Sequence, residues 1–181
     1  MSDFLKLVII GDGAVGKTCL LLVYSTGKFP TTYVPTVCDN YNAKVTVDGI
    51  EHSLQFWDTA GQEDLIQIRT LSYNNTRIFL LCFSVIHRAT FENVTAKWVP
   101  EIREYNTTGE IILIGTKTDL RETTNNAITT EEGEALAKQI GAFAYMECSA
   151  LKDIGVKDVF DRAIVQALGN KEKESGCCEI A

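Results

Sequence analysis

Two hydrophobic patterns alternate along this chain. Short runs of consecutive apolar residues are followed by stretches whose apolar positions recur every three or four residues. Unbroken runs of this length predict strands buried on both faces, and the second pattern predicts helices lying on a sheet. Leu5–Ile10 is the first run, and the apolar face of Leu20, Leu21, Val23 and Tyr24 predicts a helix from Gly16 to about Thr26. Residues 28–40 are polar and punctuated by Pro30 and Pro35, so they read as a long loop. Tyr41–Val47 and Ile50–Trp57 alternate apolar with polar and are joined by Asp48-Gly49, a strong hairpin signal. Residues 59–72 read as an irregular loop with a short helix. Further strands are expected at Ile78–Val85, Ile111–Gly115 and Phe143–Glu147. Between them, a helix is expected from about Thr90 to Tyr105, kinked at Pro100. Another opens on the capping box Thr129-x-x-Glu132 and stops near Gly141, and a last one spans Val156–Leu168. Together these elements predict an α/β fold in three layers. A six-stranded, mostly parallel sheet with one antiparallel edge strand carries helices on both faces.

Composition narrows the picture. The 181 residues suit one domain, here placed at 1–170, followed by a flexible tail at 171–181. The chain is 45% hydrophobic and 23% charged, which supports a folded core. Its net charge of -7 disfavours nucleic acid as a partner, because that needs a basic face. An anionic ligand must then be held by local geometry. The six cysteines form no C-x-x-C pair and there are only two histidines, so a zinc site is not expected. Met1-Ser2-Asp3 lacks the basic start of a secretory signal, and a cytoplasmic setting with free thiols follows. Cys19 and Cys148 read as buried structural thiols in preference to redox sensors.

The chemistry is concentrated at strand ends. Gly11-Asp12-Gly13-Ala14-Val15-Gly16-Lys17-Thr18 is G-x-x-x-x-G-K-[ST] between a strand and a helix. Such a loop turns successive backbone N–H groups inward on a polyphosphate, so the expected architecture is a three-layer P-loop fold. Lys17 reaches the β- and γ-phosphates and Thr18 offers a hydroxyl to Mg²⁺. Asp58, ending the Ile50–Trp57 strand, is placed to hold the same ion through water. Gly61 can bring an N–H to a γ-phosphate, and Gln62 carries both a donor and an acceptor for an attacking water. Thr116-Lys117-Thr118-Asp119 follows another buried strand. The Asp119 carboxylate can accept from guanine N1–H and its 2-amino group, a donor pair adenine lacks. The Lys117 stem can cover the base face. Ser149-Ala150-Leu151, after the last strand, offers backbone N–H to the guanine oxygen. Thr36, in the 28–40 loop, can complete the Mg²⁺ shell when a γ-phosphate draws that loop inward.

Together these residues resemble the Ras superfamily of small GTPases, and more closely its Rho/Rac branch. The similarity covers nearly the whole chain. Tyr33-Val34-Pro35-Thr36-Val37, Trp57-Asp58-Thr59-Ala60-Gly61-Gln62-Glu63-Asp64, Leu71-Ser72-Tyr73, Lys97-Trp98 and Glu147-Cys148-Ser149-Ala150 carry it. Thr116 in place of Asn, and Leu151 after Ser149-Ala150, are similar to the Rac branch. The resemblance implies that Gly13, Ala14, Val15, Gly16, Lys17, Thr18 and Cys19 bind phosphates, with Mg²⁺ on Thr18 and Thr36. It implies that Phe29 packs against the base and Tyr33 covers the phosphates. Residues 28–40 and 59–73 become two switch segments meeting exchange factors (GEF), activating proteins (GAP), GDI and effectors, with the protein itself a monomer. Gly13 and Gln62 are both present, which disfavours a binding module without turnover and places them with Lys17 as catalytic candidates. A small-molecule P-loop kinase would need an Arg-rich lid, and none is evident. The chain departs from the Rho pattern at Cys38, at the apolar Leu65, Ile66 and Ile68, and in a span between Asp119 and Ser149 too short for the extra Rho helix. Cys178-Glu179-Ile180-Ala181 fits a prenylation box in which terminal Ala favours farnesyl, and Cys177 offers a palmitoylation site. Lys171-Glu172-Lys173-Glu174 gives no net basic charge, so the expected residence on the cytosolic face of membranes is weak unless Cys177 is acylated.

Overall fold

A computed structural model describes residues 4–32, 38–47 and 49–175. Strands β1 (Leu5–Gly11), β2 (Cys38–Val47), β3 (Ile50–Thr59), β4 (Ile78–Ser84), β5 (Glu110–Thr116) and β6 (Ala144–Glu147) form one sheet in the order β2-β3-β1-β4-β5-β6. Only the β2–β3 pair is antiparallel, and it places β2 at the edge as expected. Val47 pairs with Ile50, and Gly49 supplies the positive φ of 80° that so short a turn requires.

The strands buried on both faces are the unbroken apolar runs. Every residue of β4 is buried, because alternate side chains enter two separate cores. On one face Leu7, Ile9, Leu80 and Ile112 pack with Leu20, Val159 and Phe160 of helices α1 (Lys17–Thr26) and α6 (Val156–Ser175). On the other, Val8, Phe79, Leu81 and Leu113 meet Val94, Trp98, Ile102 and Leu136. These come from the turn that follows α3 (Arg88–Asn93), from α4 (Val99–Tyr105) and from α5 (Thr130–Ile140). The short α2 (Ile66–Leu71) follows a 3₁₀ turn at Glu63–Leu65. The capping box is present: Glu132 N–H donates to Thr129 Oγ1 at 3.2 Å, and Thr129 N–H donates to Glu132 Oε2 at 2.9 Å. Gly141, at φ 67°, closes that helix.

Two expectations need correction. The Thr90–Tyr105 segment does not simply kink at Pro100. A π turn at Val94–Trp98 separates α3 from α4, and Pro100 lies in the first turn of α4, where a missing N–H costs little. The last helix does not stop at Leu168 but runs to Ser175. Residues 171–175, expected in the flexible tail, therefore continue it, in keeping with the good helix propensity of Lys and Glu. Between the 3₁₀ turn at Thr118–Thr123 and α5 the chain has no additional helix, as its length implied. No helix among the described residues is long and apolar enough to cross a membrane.

Candidate functional site

The carboxyl ends of β1, β3, β5 and β6 lie along one rim of the sheet. β1 sits between β3 and β4, where the strand order reverses, and ligands of open α/β sheets bind at such a crevice. The Gly11–Thr18 loop leaves β1 here. Gly11 has φ 140°, and a Cβ on it would come within 2.1 Å of Cys82 O, so the loop can turn beside β4 only with glycine. Gly16, at φ 102°, caps α1. Ala14 also holds a positive φ, of 61°.

Two adjoining cavities open on this rim. The larger, about 330 Å³, is lined by Gly13, Gly16, Lys17, Thr18, Gly61 and Gln62. The second, about 230 Å³, is lined by Val15, Thr116, Asp119, Ala150 and Leu151. Gly16, Cys19, Phe29 and Lys117 wall both. The first offers a lysine and backbone amides, and the second a slot with one carboxylate at its edge. This is the shape of a nucleotide split into phosphates and base. The chain matches the family model described as Ras family over residues 6–169. It is a small GTPase of the Ras superfamily.

In this GTPase Lys17 is buried, and its Nζ donates to Gly11 O at 2.8 Å and Asp12 O at 2.7 Å. Burial pushes its pKa below the ordinary lysine value, while Cys82, Asp58 and Asp12 pull it back up. Thr18 Oγ1 donates to Asp58 Oδ2 at 2.6 Å across the loop–β3 gap. A hydroxyl and a fully buried carboxylate in contact form a hard-oxygen donor set that fits Mg²⁺, the ion this family generally uses. Gly61 lies directly on the loop: a Cβ there would fall 2.4 Å from Gly13 N and 2.5 Å from Gly11 O. Gln62 is exposed at the mouth of the larger cavity.

The base side is built from three loops. Thr116 Oγ1 lies 2.6 Å from Val15 O and 2.9 Å from Phe83 O, tying β5 to the phosphate loop. Lys117 takes φ 62° and its Nζ donates to Ala14 O at 2.7 Å, which lays its stem along the slot. Burial also lowers the Lys117 pKa, against the raising influence of Cys19 and Asp119. Ser149 Oγ donates to Asp119 Oδ1 at 2.6 Å, and Lys152 N–H donates to that hydroxyl at 3.1 Å. Asp119 is thus aimed by a buried serine rather than left to rotate. Phe29 stands 41% exposed at the edge of the slot.

Sixteen of the sequence-designated nucleotide and metal residues line or border these two cavities; Tyr33 and Thr36 lie outside the described residues, as do Cys177 and Cys178. Cys148 is buried as expected, but Cys19 is half-exposed, because α1 turns it into both cavities.

Three groups escaped the sequence. Arg69 is fully buried, with Nε and Nη2 donating to Glu101 Oε1 at 2.8 Å and Oε2 at 2.6 Å, and Nη1 donating to Gln62 O at 2.7 Å. Tyr73 adds its hydroxyl to Glu101 Oε1 at 2.6 Å. Arg121 pairs with Glu147, which also accepts from Tyr145 and Thr130, behind the base loops. Asp12 accepts from Asn93 and Trp98. The ion pairs and the Asp12 contacts each span at least 26 residues, and no local spacing announces such pairs.

Proposed function

We propose that this GTPase is a Rho-type molecular switch that hydrolyses GTP slowly by itself and is turned over by partner proteins. The observation that carries this reading is the pair of joined cavities, one built for phosphates and the other closed by Asp119 as aimed by Ser149. The reaction is in-line attack of water on the γ-phosphorus of GTP, giving GDP and phosphate. Backbone N–H groups of Gly13–Cys19 hold the phosphates, with Ala14, Val15 and Gly16 at the bend. Lys17 offsets charge as it gathers on the β–γ bridging oxygen. Gly61 presents an N–H to the γ-phosphate, and Gln62 orients the water. Thr18, Thr36 and, through water, Asp58 would hold Mg²⁺, which supplies further neutralisation of the phosphate oxygens when bound. Thr116, Lys117, Asp119, Ser149, Ala150 and Leu151 select guanine, with Phe29 against the base and Tyr33 over the phosphates.

No arginine lies between Phe29 and Asn40, so that loop supplies no catalytic arginine of its own. Intrinsic turnover is expected on the order of 10⁻⁴ to 10⁻³ s⁻¹, the range of Ras itself, with acceleration of roughly 10³–10⁵ from an arginine brought by a GAP. GEF, GDI and effectors would read residues 28–40 and 59–73. Exposed Ile66, Ile68 and Leu71 give the second segment an apolar face suited to protein contact. The Rho-type motifs around Asp58–Asp64 and Lys97-Trp98 support the subfamily and, with it, cytoskeletal signalling. Prenylation at Cys178, with Cys177 as an acylation site, would place the protein on the cytosolic face of membranes.

Denaturing the purified protein and identifying the released nucleotide tests the base reading, and a single-turnover GTP time course tests the chemistry. GDP or GTP in the supernatant and slow phosphate release are expected. Release of ADP, or rapid unassisted turnover, would overturn the proposal.

A further inference from the structure

The π turn at Val94–Trp98 has a partner in the phosphate loop. In an α-helix, neighbours on one face are three or four residues apart, and residues five apart point in different directions. The wider turn, in which Val99 N–H donates to Val94 O, stacks residues five apart instead. It thereby lets Asn93 and Trp98 reach one carboxylate. Asn93 Nδ2 donates to Asp12 Oδ2 at 2.8 Å, and Trp98 Nε1 donates to Asp12 Oδ1 at 3.1 Å. Trp98 is completely buried, so its N–H is held at a fixed position.

The other side of the same indole faces the second switch. The Arg69 guanidinium lies 4.9 Å from the Trp98 ring, and Arg69 holds the Gln62 carbonyl. Gly61 meanwhile rests against Gly11–Gly13, the residues on either side of Asp12. One helical segment therefore grips both walls of the phosphate cavity where they touch.

We propose that Asp12 is a positioning residue for GTP hydrolysis. Clamped by Asn93 and Trp98, it fixes the Gly13 edge of the phosphate loop against Gly61 and Gln62. This rests on the reading of Gly61 and Gln62 as the hydrolytic edge. The clamp lies away from the base slot, and it holds the Asp12 side chain, whereas Lys17 is anchored by the backbone carbonyls of Gly11 and of Asp12 itself. Loosening it therefore acts on hydrolysis rather than on nucleotide affinity.

The test uses the full chain loaded with GTP and Mg²⁺. Single-turnover hydrolysis and GDP affinity are measured for the parent, Asn93→Asp, Trp98→Phe and the exchange Asp12→Asn/Asn93→Asp. Asn93→Asp sets two carboxylates, which only accept, against each other at the 2.8 Å contact. The exchange restores one donor and one acceptor there, and leaves Trp98 an acceptor. Misplacement by a fraction of an ångström up to 1 Å corresponds to losses of about tenfold to a hundredfold. Asn93→Asp is expected to hydrolyse at least tenfold more slowly with GDP affinity within threefold of the parent. The exchange is expected to recover most of the rate, and Trp98→Phe, which keeps the ring and loses only the N–H, to lie between. Asn93→Asp at the parent rate would overturn the clamp. So would a loss that the exchange does not repair, or one matched by an equal loss of affinity. Gln62→Leu, run alongside, separates the two ideas: if it hydrolyses normally, the reading of the site fails and not merely the clamp.

Discussion

Glu101→Ala is the most severe single change that the region behind the second switch permits. Glu101 is 7% exposed and Arg69 is fully buried. The carboxylate accepts two hydrogen bonds from the guanidinium and one from Tyr73. Truncation removes all three and leaves a buried cation with the Ala60 and Gln62 carbonyls and the face of Trp98, and no counter-charge among them. Breaking a buried ion pair from one side costs about 3–5 kcal/mol, most of it the cost of the stranded charge. With a shift of about 2–4 °C per kcal/mol for a chain of this size, the melting temperature should fall by about 6–20 °C. Urea unfolding with GDP and Mg²⁺ in fixed excess measures the free-energy difference directly. Glu101→Leu together with Arg69→Met should recover much of the loss, because apolar replacements of similar volume strand no charge, and the Tyr73 hydroxyl left without its acceptor accounts for the remainder. Acidity supplies a second readout. Burial alone would raise the Glu101 carboxyl, but the hydrogen bonds from Arg69 and Tyr73 hold it below the ordinary carboxylate value. A carboxyl depressed in the folded state stabilises above its unfolded pKa of about 4.3, and that contribution is lost as pH falls through the folded value. The gap between parent and variant should be flat near neutrality and narrow in acid below about pH 4. A loss under about 1 kcal/mol at pH 7, unchanged in acid, would show that the pair is screened as a surface bridge is and would refute the reasoning.

Gln62→Leu should keep GTP affinity within a few-fold and lose most single-turnover hydrolysis, since the exposed amide meets only the cavity. Gly61→Ala should weaken binding of a GTP analogue relative to GDP by roughly tenfold in competition, because its methyl falls on the phosphate-loop backbone. Asp119→Ala should lower GDP affinity and relax guanine preference. Losing a paired acceptor of this kind costs about 1–3 kcal/mol, which a competition assay with ADP resolves.

The sheet was legible because burial on both faces leaves its strands as continuous apolar words, and Asp48-Gly49 gave away the single reversal. The site was legible for a related reason. Phosphate loops and base loops must sit at strand ends, so Lys17, Asp58 and Asp119 announce themselves by following apolar runs. The π turn was not legible, because Asn93, Val94 and Trp98 fit an ordinary amphipathic helix equally well. What decides between the two is a carboxylate at residue 12, far off in sequence. Arg69 escaped for the same cause. An arginine in a short surface segment reads as solvated until Glu101 and Tyr73 are brought around it. The continuation of α6 past Leu168 was missed because its apolar stripe ends there, whereas Lys-Glu repeats propagate a helix with no core to face.

The widened turn also makes chain length itself a carrier of information. Removing one residue between Asn93 and Trp98 would bring those two to a four-residue spacing, which an ordinary α-helical turn also places on one face, so the amide and the indole would keep their carboxylate and Glu101 its arginine. Adding one there instead would turn everything beyond by about 100° and part both pairs, although no contacting side chain had been altered. Drift in this stretch should therefore tolerate replacements and a single deletion, but not an insertion.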